Sequence, residues 1–193
     1  MQKLAKIKVK FLSFQRKEAK AKNDKEAQKI IKPIKENILN KFPSYIYGED
    51  EETLASVLVR ELSHRKQSIA FAESCTGGLL SSFITEIPGS SQIFKGSIIA
   101  YKNEIKNSIL NVSNDLLDLY GAVSEEVAES MVIGLKKLLK SDWGIAISGI
   151  AGPDGGSKEK PIGLVYISII GPDNKIKNIK KMFNPIRNRI DIQ

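Results

Sequence analysis

The chain has 193 residues, 41% of them hydrophobic and 27% charged, with a net charge of +8. That is the composition of a globular protein with room for one ordinary domain and an appendage, and no apolar run approaches the roughly 20 residues of a membrane span. One cysteine excludes an internal disulfide framework, one histidine argues against a His-based metal site, and neither metal nor cofactor is expected.

The start, "MQKLAKIKVKFLSF", lacks the apolar core and cleavage site of a secretion signal, so the expected location is cytoplasmic. Residues 1–41 hold 13 Lys or Arg against 4 Asp or Glu, a net of +9, and the rest of the chain nets −1. That segment lacks the interleaved aromatics and arginine clusters of a nucleic-acid reader. It reads as a solvated lysine surface, with no nucleic acid and no membrane among the expected partners.

In chain order, "KIKVKFLSF" alternates Ile7, Val9 and Phe11 with lysines, a strand pattern. Ala27, Ile30, Ile31, Ile34 and Ile38 follow at helical spacing, with Pro33 predicting a kink or break. Residues 43–52, with Pro, Gly and an acidic run, read as a linker. Leu54, Val57, Leu58 and Leu62 make one helix face, and "SIAFA" is a buried strand. A helix over 78–86 ends at Pro88-Gly89, and a strand is predicted at 96–101. Helices follow at 103–110 and 113–120, and a long amphipathic one is capped by Ser124. "WGIAIS", "IGLVYISII" and "KIKNIKKMF" are strands, the last at an edge. Alternating strands and helices, several strands being uniformly apolar, predict an α/β/α sandwich with a mixed, mostly parallel sheet. A small N-terminal α+β appendage precedes it and is expected to pack on a partner, in an exchanged or homodimeric arrangement.

Two glycine-rich loops, 74–78 and 149–156, leave strand C-termini, where such sheets bind ligands. In "ESCTGG", Glu73 ends a strand, and Gly77 and Gly78 permit close backbone approach to a ligand at the helix start. Cys75 has no base to activate it: the sole histidine, His64, ends a helix, so the thiol reads as a packing residue. In "PGSSQIFKGSIIAYKNEIK", serines precede a strand, and Tyr101, Asn103 and Lys106 follow it. A serine can be activated by a neutral lysine whose pKa burial depresses. The residues alone do not choose between Lys102 and Lys106.

"AESCTGG", "PGSSQIFKGSIIAYKNEIK", "GAVSEEVAESM" and "SGIAGPDGGSKEKPIG" resemble, in order and spacing, the signature segments of the C-terminal domain of the competence/damage-inducible CinA family. The resemblance runs from about residue 52 to about residue 187, and the stretch before it resembles the small domain that precedes this module in full-length relatives. It implies two domains, 1–45 and 46–193, with the family's final helix missing. It also implies hydrolysis of nicotinamide mononucleotide to nicotinate mononucleotide and ammonia, without a metal, by a Ser/Lys arrangement. Carried onto this chain, the nucleophile falls on Ser91 rather than Ser90, with Tyr101 and Lys106 assisting. Glu73, Ser74, Thr76, Gly77, Gly78, Asn103, Ser148, Gly149, Gly152 and Arg187 are then expected to bind the nucleotide, Arg187 and the "SGIAGPDGG" loop its phosphate. The alternative expectation is a catalytically silent module that binds a nucleotide or a partner in competence or DNA-damage responses.

Overall fold

The computed structural model describes residues 4–7, 17–43, 46–48, 51–184 and 188–193. The chain divides into two compact units, Met1–Arg60 and Glu61–Gln193. In the first, β1 (Leu4–Ile7) pairs antiparallel with β2 (Lys17–Lys20), and α1 (Asp24–Lys41) follows. The expected strand over 6–14 lies mostly outside the described residues. Asn23 caps α1 by accepting the Glu26 amide at 3.0 Å. Pro33 does not break this helix, which continues to Lys41 with Ala27 and Ile31 buried. Removing one backbone donor is tolerated where a cap and buried side chains hold the helix on the N-terminal side of the proline.

α2 (Leu54–Arg65) opens with a reciprocal cap. The Thr53 amide donates to Ser56 Oγ and the Ser56 amide to Thr53 Oγ1. The unit boundary falls inside this helix. His64 is exposed in its last turn, as its position in the sequence suggested.

The second unit is built on a five-stranded mixed sheet in the order β4-β3-β5-β6-β7. β3 (Ile69–Glu73) runs parallel to β4 (Phe94–Ile99) and to β5 (Trp143–Gly149). β6 (Leu164–Ile170) and β7 (Ile176–Met182) add antiparallel strands, β7 at the edge. β4 begins two residues before its expected start. Its pairing with β3 slips between Phe94 and Gly96, so Lys95 is a bulge residue that interrupts the alternation.

Alternation along β3 sorts the helices to two faces. Ala70 and Ala72 face α6 (Glu125–Leu139), whose Val127, Met131, Val132 and Leu135 are fully buried with them. Phe71 contacts Phe94, and Glu73 contacts α3 (Leu79–Thr85), on the other face. Ser124 caps α6 as the sequence predicts. α4 (Asn103–Leu110) and α5 (Asn114–Tyr120) fill the connection from β4 to α6.

Gly134 is where α4 and α6 touch. A Cβ there would lie 1.8 Å from the Leu110 carbonyl oxygen, a backbone atom that cannot rotate away. Gly134→Ala is therefore expected to destabilise the fold by about 3 kcal/mol or more, read as a shift of the urea midpoint.

Among the described residues no helix is long and apolar enough to cross a membrane.

Candidate active site

The three parallel strands all end at one edge of the sheet, and the loops leaving them converge there. β3 ends at Glu73, and its carboxylate organises the turn that follows. Oε2 accepts from the amides of Gly78 (3.0 Å) and Leu80 (3.1 Å). Oε1 accepts from the Ser81 amide (2.9 Å) and from the Ser81 hydroxyl. The side chain is fully buried. Burial pushes its pKa up, but the Ser81 hydroxyl and the backbone amides outweigh that and hold it below the ordinary value. Both oxygens are thus committed inside the protein. Glu73, expected to touch substrate, is instead the anchor of the turn.

The turn itself spans Ser74–Gly78. The Ser74 amide donates to the Ile147 carbonyl on β5, and the Gly77 amide to the Ser74 carbonyl. Gly77 (φ 60°) and Gly78 (φ 104°) both adopt left-handed backbone that a side chain would strain, which is why the pair stands here. Thr76 Oγ1 is buried and meets no hydrogen-bond partner at bonding geometry among the described residues. Cys75 is buried among Ala151, Val165 and Ile192, and burial pushes its thiol up to about 11, so it packs rather than reacts.

Lys106 lies buried at this edge of the sheet. It rises from α4 with 1% exposure, while Lys102 is exposed. Its Nζ donates to the carbonyls of Ala100 (2.7 Å) and Tyr101 (3.2 Å) and lies 3.4 Å from Ser74 Oγ. Among the described residues no carboxylate accepts from it, and burial lowers its pKa from the ordinary lysine value. Ser74 itself is 8% exposed. Among the described residues the buried lysine has no counter-ion and lies beside a serine hydroxyl, and such a pair can act as base and nucleophile.

Ser91 is not part of this arrangement. It is exposed in a 3₁₀ turn, Ser90–Gln92, that precedes β4. The neighbouring Ile93 carbonyl accepts from the Ile69 amide at the first residue of β3. Lys106 follows the far end of β4, so a six-residue strand, about 20 Å, separates the two. The correction is topological: residues before and after a strand lie at opposite edges of the sheet. The proximity of Ser74 to Lys106 carried a readable signal, because Ser74 follows β3 directly and so shares an edge with whatever follows β4.

The remaining expected residues divide. Tyr101 and Asn103 are exposed at the dyad's edge of the sheet. Ser148 is at the end of β5, but its hydroxyl donates to the Ala122 carbonyl at 2.6 Å and is committed there. Gly149 allows close packing, since a Cβ would meet Val165, the Leu164 carbonyl and Cys75 Sγ. Gly152 has φ 77°, and its carbonyl accepts from Arg189 Nη1 at 2.6 Å. Arg187 lies outside the described residues. Arg189 and Gln193, which sequence reasoning passed over, both reach these loops: Arg189 Nη2 donates to Tyr101 Oη (3.0 Å) and Gln193 Nε2 to the Cys75 carbonyl (2.6 Å). Arg189 opens α7 (Arg189–Ile192), a single helical turn, and Gln193 is the residue that follows it. Among the described residues no three His, Cys, Asp or Glu side chains gather as a metal site would require.

Comparison with known proteins agrees with this architecture. Similar relatives include a CinA-like protein of Prochlorococcus marinus, 64% identical over 91% of this chain and 41% of the relative. Another, from Gloeothece citriformis, is 46% identical over 91% of this chain and 42% of the relative. The chain thus spans about two fifths of the length of these relatives. Among solved structures, the competence/damage-inducible protein CihA of Agrobacterium tumefaciens is 34% identical with a TM-score of 0.70, over 72% of this chain and 84% of that one. The competence damage-inducible protein A of Klebsiella pneumoniae is 27% identical with a TM-score of 0.69, over the same shares. The family model of the CinA C-terminal domain matches residues 51–193 and so takes in every element from α2 to α7; the chain belongs to that family.

Proposed function

We propose that the chain is an amidase that converts nicotinamide mononucleotide to nicotinate mononucleotide and ammonia, with Ser74 as nucleophile and Lys106 as its base. The observation that carries this reading is the buried Lys106 Nζ, 3.4 Å from Ser74 Oγ and bonded to no carboxylate among the described residues. The likeness to the CinA family supplies the substrate.

In the first step neutral Lys106 takes the proton of Ser74 Oγ, which bonds to the carboxamide carbon. The carbonyl oxygen becomes an oxyanion. The amides of Cys75 and Thr76 donate to no carbonyl or carboxylate among the described residues, and they follow the nucleophile directly. They are the donors proposed for that oxyanion, and one such donor is typically worth about 3 kcal/mol. The Gly78 amide is committed to Glu73 and is not available. The C–N bond then breaks as the lysine ammonium returns its proton to the nitrogen, which leaves as ammonia. Water, deprotonated by the same lysine, cleaves the acyl ester and restores Ser74.

The test is ammonia release from nicotinamide mononucleotide by the purified chain, followed across pH. Only neutral Lys106 acts as base, so kcat/KM is expected to rise with pH along a limb whose midpoint lies below the ordinary lysine value of 10.5. In ¹⁸O water one labelled oxygen should enter the nicotinate carboxylate. A folded chain releasing ammonia at the uncatalysed rate would instead favour the silent binding module.

A further inference from the structure

Arg189 reaches the site from α7 and joins two of its loops at one point. Nη1 donates to the Gly152 carbonyl and Nη2 to the Tyr101 hydroxyl oxygen. A guanidinium has donors only and stays charged. The Tyr101 oxygen must therefore accept from it, and the phenol's own proton is turned away from Arg189. We propose that Arg189 is a positioning residue that presents the Tyr101 O–H as a donor to an acceptor oxygen of a bound nucleotide, while tying the glycine-rich loop after β5 to the same point. The identity of that ligand rests on the amidase reading; the clamp itself does not.

The base of the clamp is fixed from below. Asn188 caps α7 by accepting the Asp191 amide at 2.9 Å. Ile192 is buried against Cys75, Ala151 and Val165, and Gln193 donates to the Cys75 carbonyl next to Ser74. The loops after β3, β4 and β5 thus all meet the five residues 189–193, through Cys75, Tyr101 and Gly152. Tyr101 is 56% exposed, so its phenol stands at the open side of the site, where a ligand would arrive.

A double-mutant cycle tests the coupling: Arg189→Met, Tyr101→Phe and the pair, with Arg189→Lys as the conservative variant. For ammonia release from nicotinamide mononucleotide, each single change is expected to lower kcat/KM by roughly 10- to 30-fold, and the double change no further than the singles. Arg189→Lys should recover part of the loss, since an ammonium reaches one of the two acceptors but not both. Losses that multiply in the double variant would show Arg189 acting apart from Tyr101 and would overturn the proposal. Amide hydrogen exchange on the same proteins reads the clamp without turnover: residues 100–103 and 150–163 should exchange faster in Arg189→Met. Unchanged exchange there overturns the clamp, whereas a wild type that turns over no nucleotide sinks the amidase reading and leaves exchange to decide the clamp.

Discussion

Alanine at Ser74 is expected to abolish ammonia release from nicotinamide mononucleotide, while alanine at Ser91 leaves it within about twofold of wild type. The predicted loss for Ser74→Ala is on the order of 10⁴-fold or more in kcat, the size seen when the nucleophile of a catalytic unit is removed. Lys106→Ala should lose as much, and the double variant no more, because a nucleophile and its base act as one unit. Lys106→Arg keeps the cation and loses the base, so it should be equally inactive. Ser74→Ala removes one hydroxyl from a site that retains the Ala100 and Tyr101 carbonyls as partners for Lys106, so the fold should survive and circular dichroism should be unchanged. Full activity in Ser74→Ala would end the case for this dyad.

The largest effect on stability is expected at Glu73. Glu73→Ala removes the acceptor for three backbone amides and a hydroxyl, all at the start of α3. An orphaned buried donor costs about 1–3 kcal/mol, so a total of at least about 3 kcal/mol is expected even after water enters the space. For a chain of this size that corresponds to a fall in Tm of roughly 10 °C. Glu73→Gln should fall between, because its amide keeps one acceptor and turns a donor toward other donors. The sign of the acid dependence follows from the lowered pKa. Glu73 contributes its full stabilisation above the ordinary value of 4.5 and loses it as pH falls through the lower folded value. Thermal melts at pH 7 and pH 3.5 check both. In Glu73→Ala the acid loss of stability should be smaller than in wild type, and a melt within about 2 °C of wild type at pH 7 would remove Glu73 as the anchor of the turn.

Much of the fold was legible because its periodicities are strong. The apolar run of β3 and the Ser124 cap with its glutamates each carry a local signal that the packing reinforces. Pro33 does not break α1 because local propensity gives way to the buried face of Ala27 and Ile31. β4 was placed late because the bulge at Lys95 breaks its alternation. For the site, the sequence narrowed the chemistry to serine and lysine on two motifs, and burial then selected Lys106 over Lys102. The proximity of Ser74 to Lys106 was missed for a different reason. Ser74 and Ser91 are both small hydroxyls flanking strands, and residue type does not distinguish them. Direction does: one follows a strand, the other precedes one. Arg189 and Gln193 carried no signal at all, since their role depends on where a short terminal turn lands.

The distance between Ser91 and the dyad makes this protein easy to handle chemically. Its single thiol, Cys75, is buried and held protonated at neutral pH, so a maleimide has nothing fast to attack in the native chain. A cysteine introduced in place of the exposed Ser91 would become the one reactive handle. A fluorophore or surface tether attached there would sit a strand's length from the edge that carries Ser74 and Lys106 and report on the molecule without obstructing it.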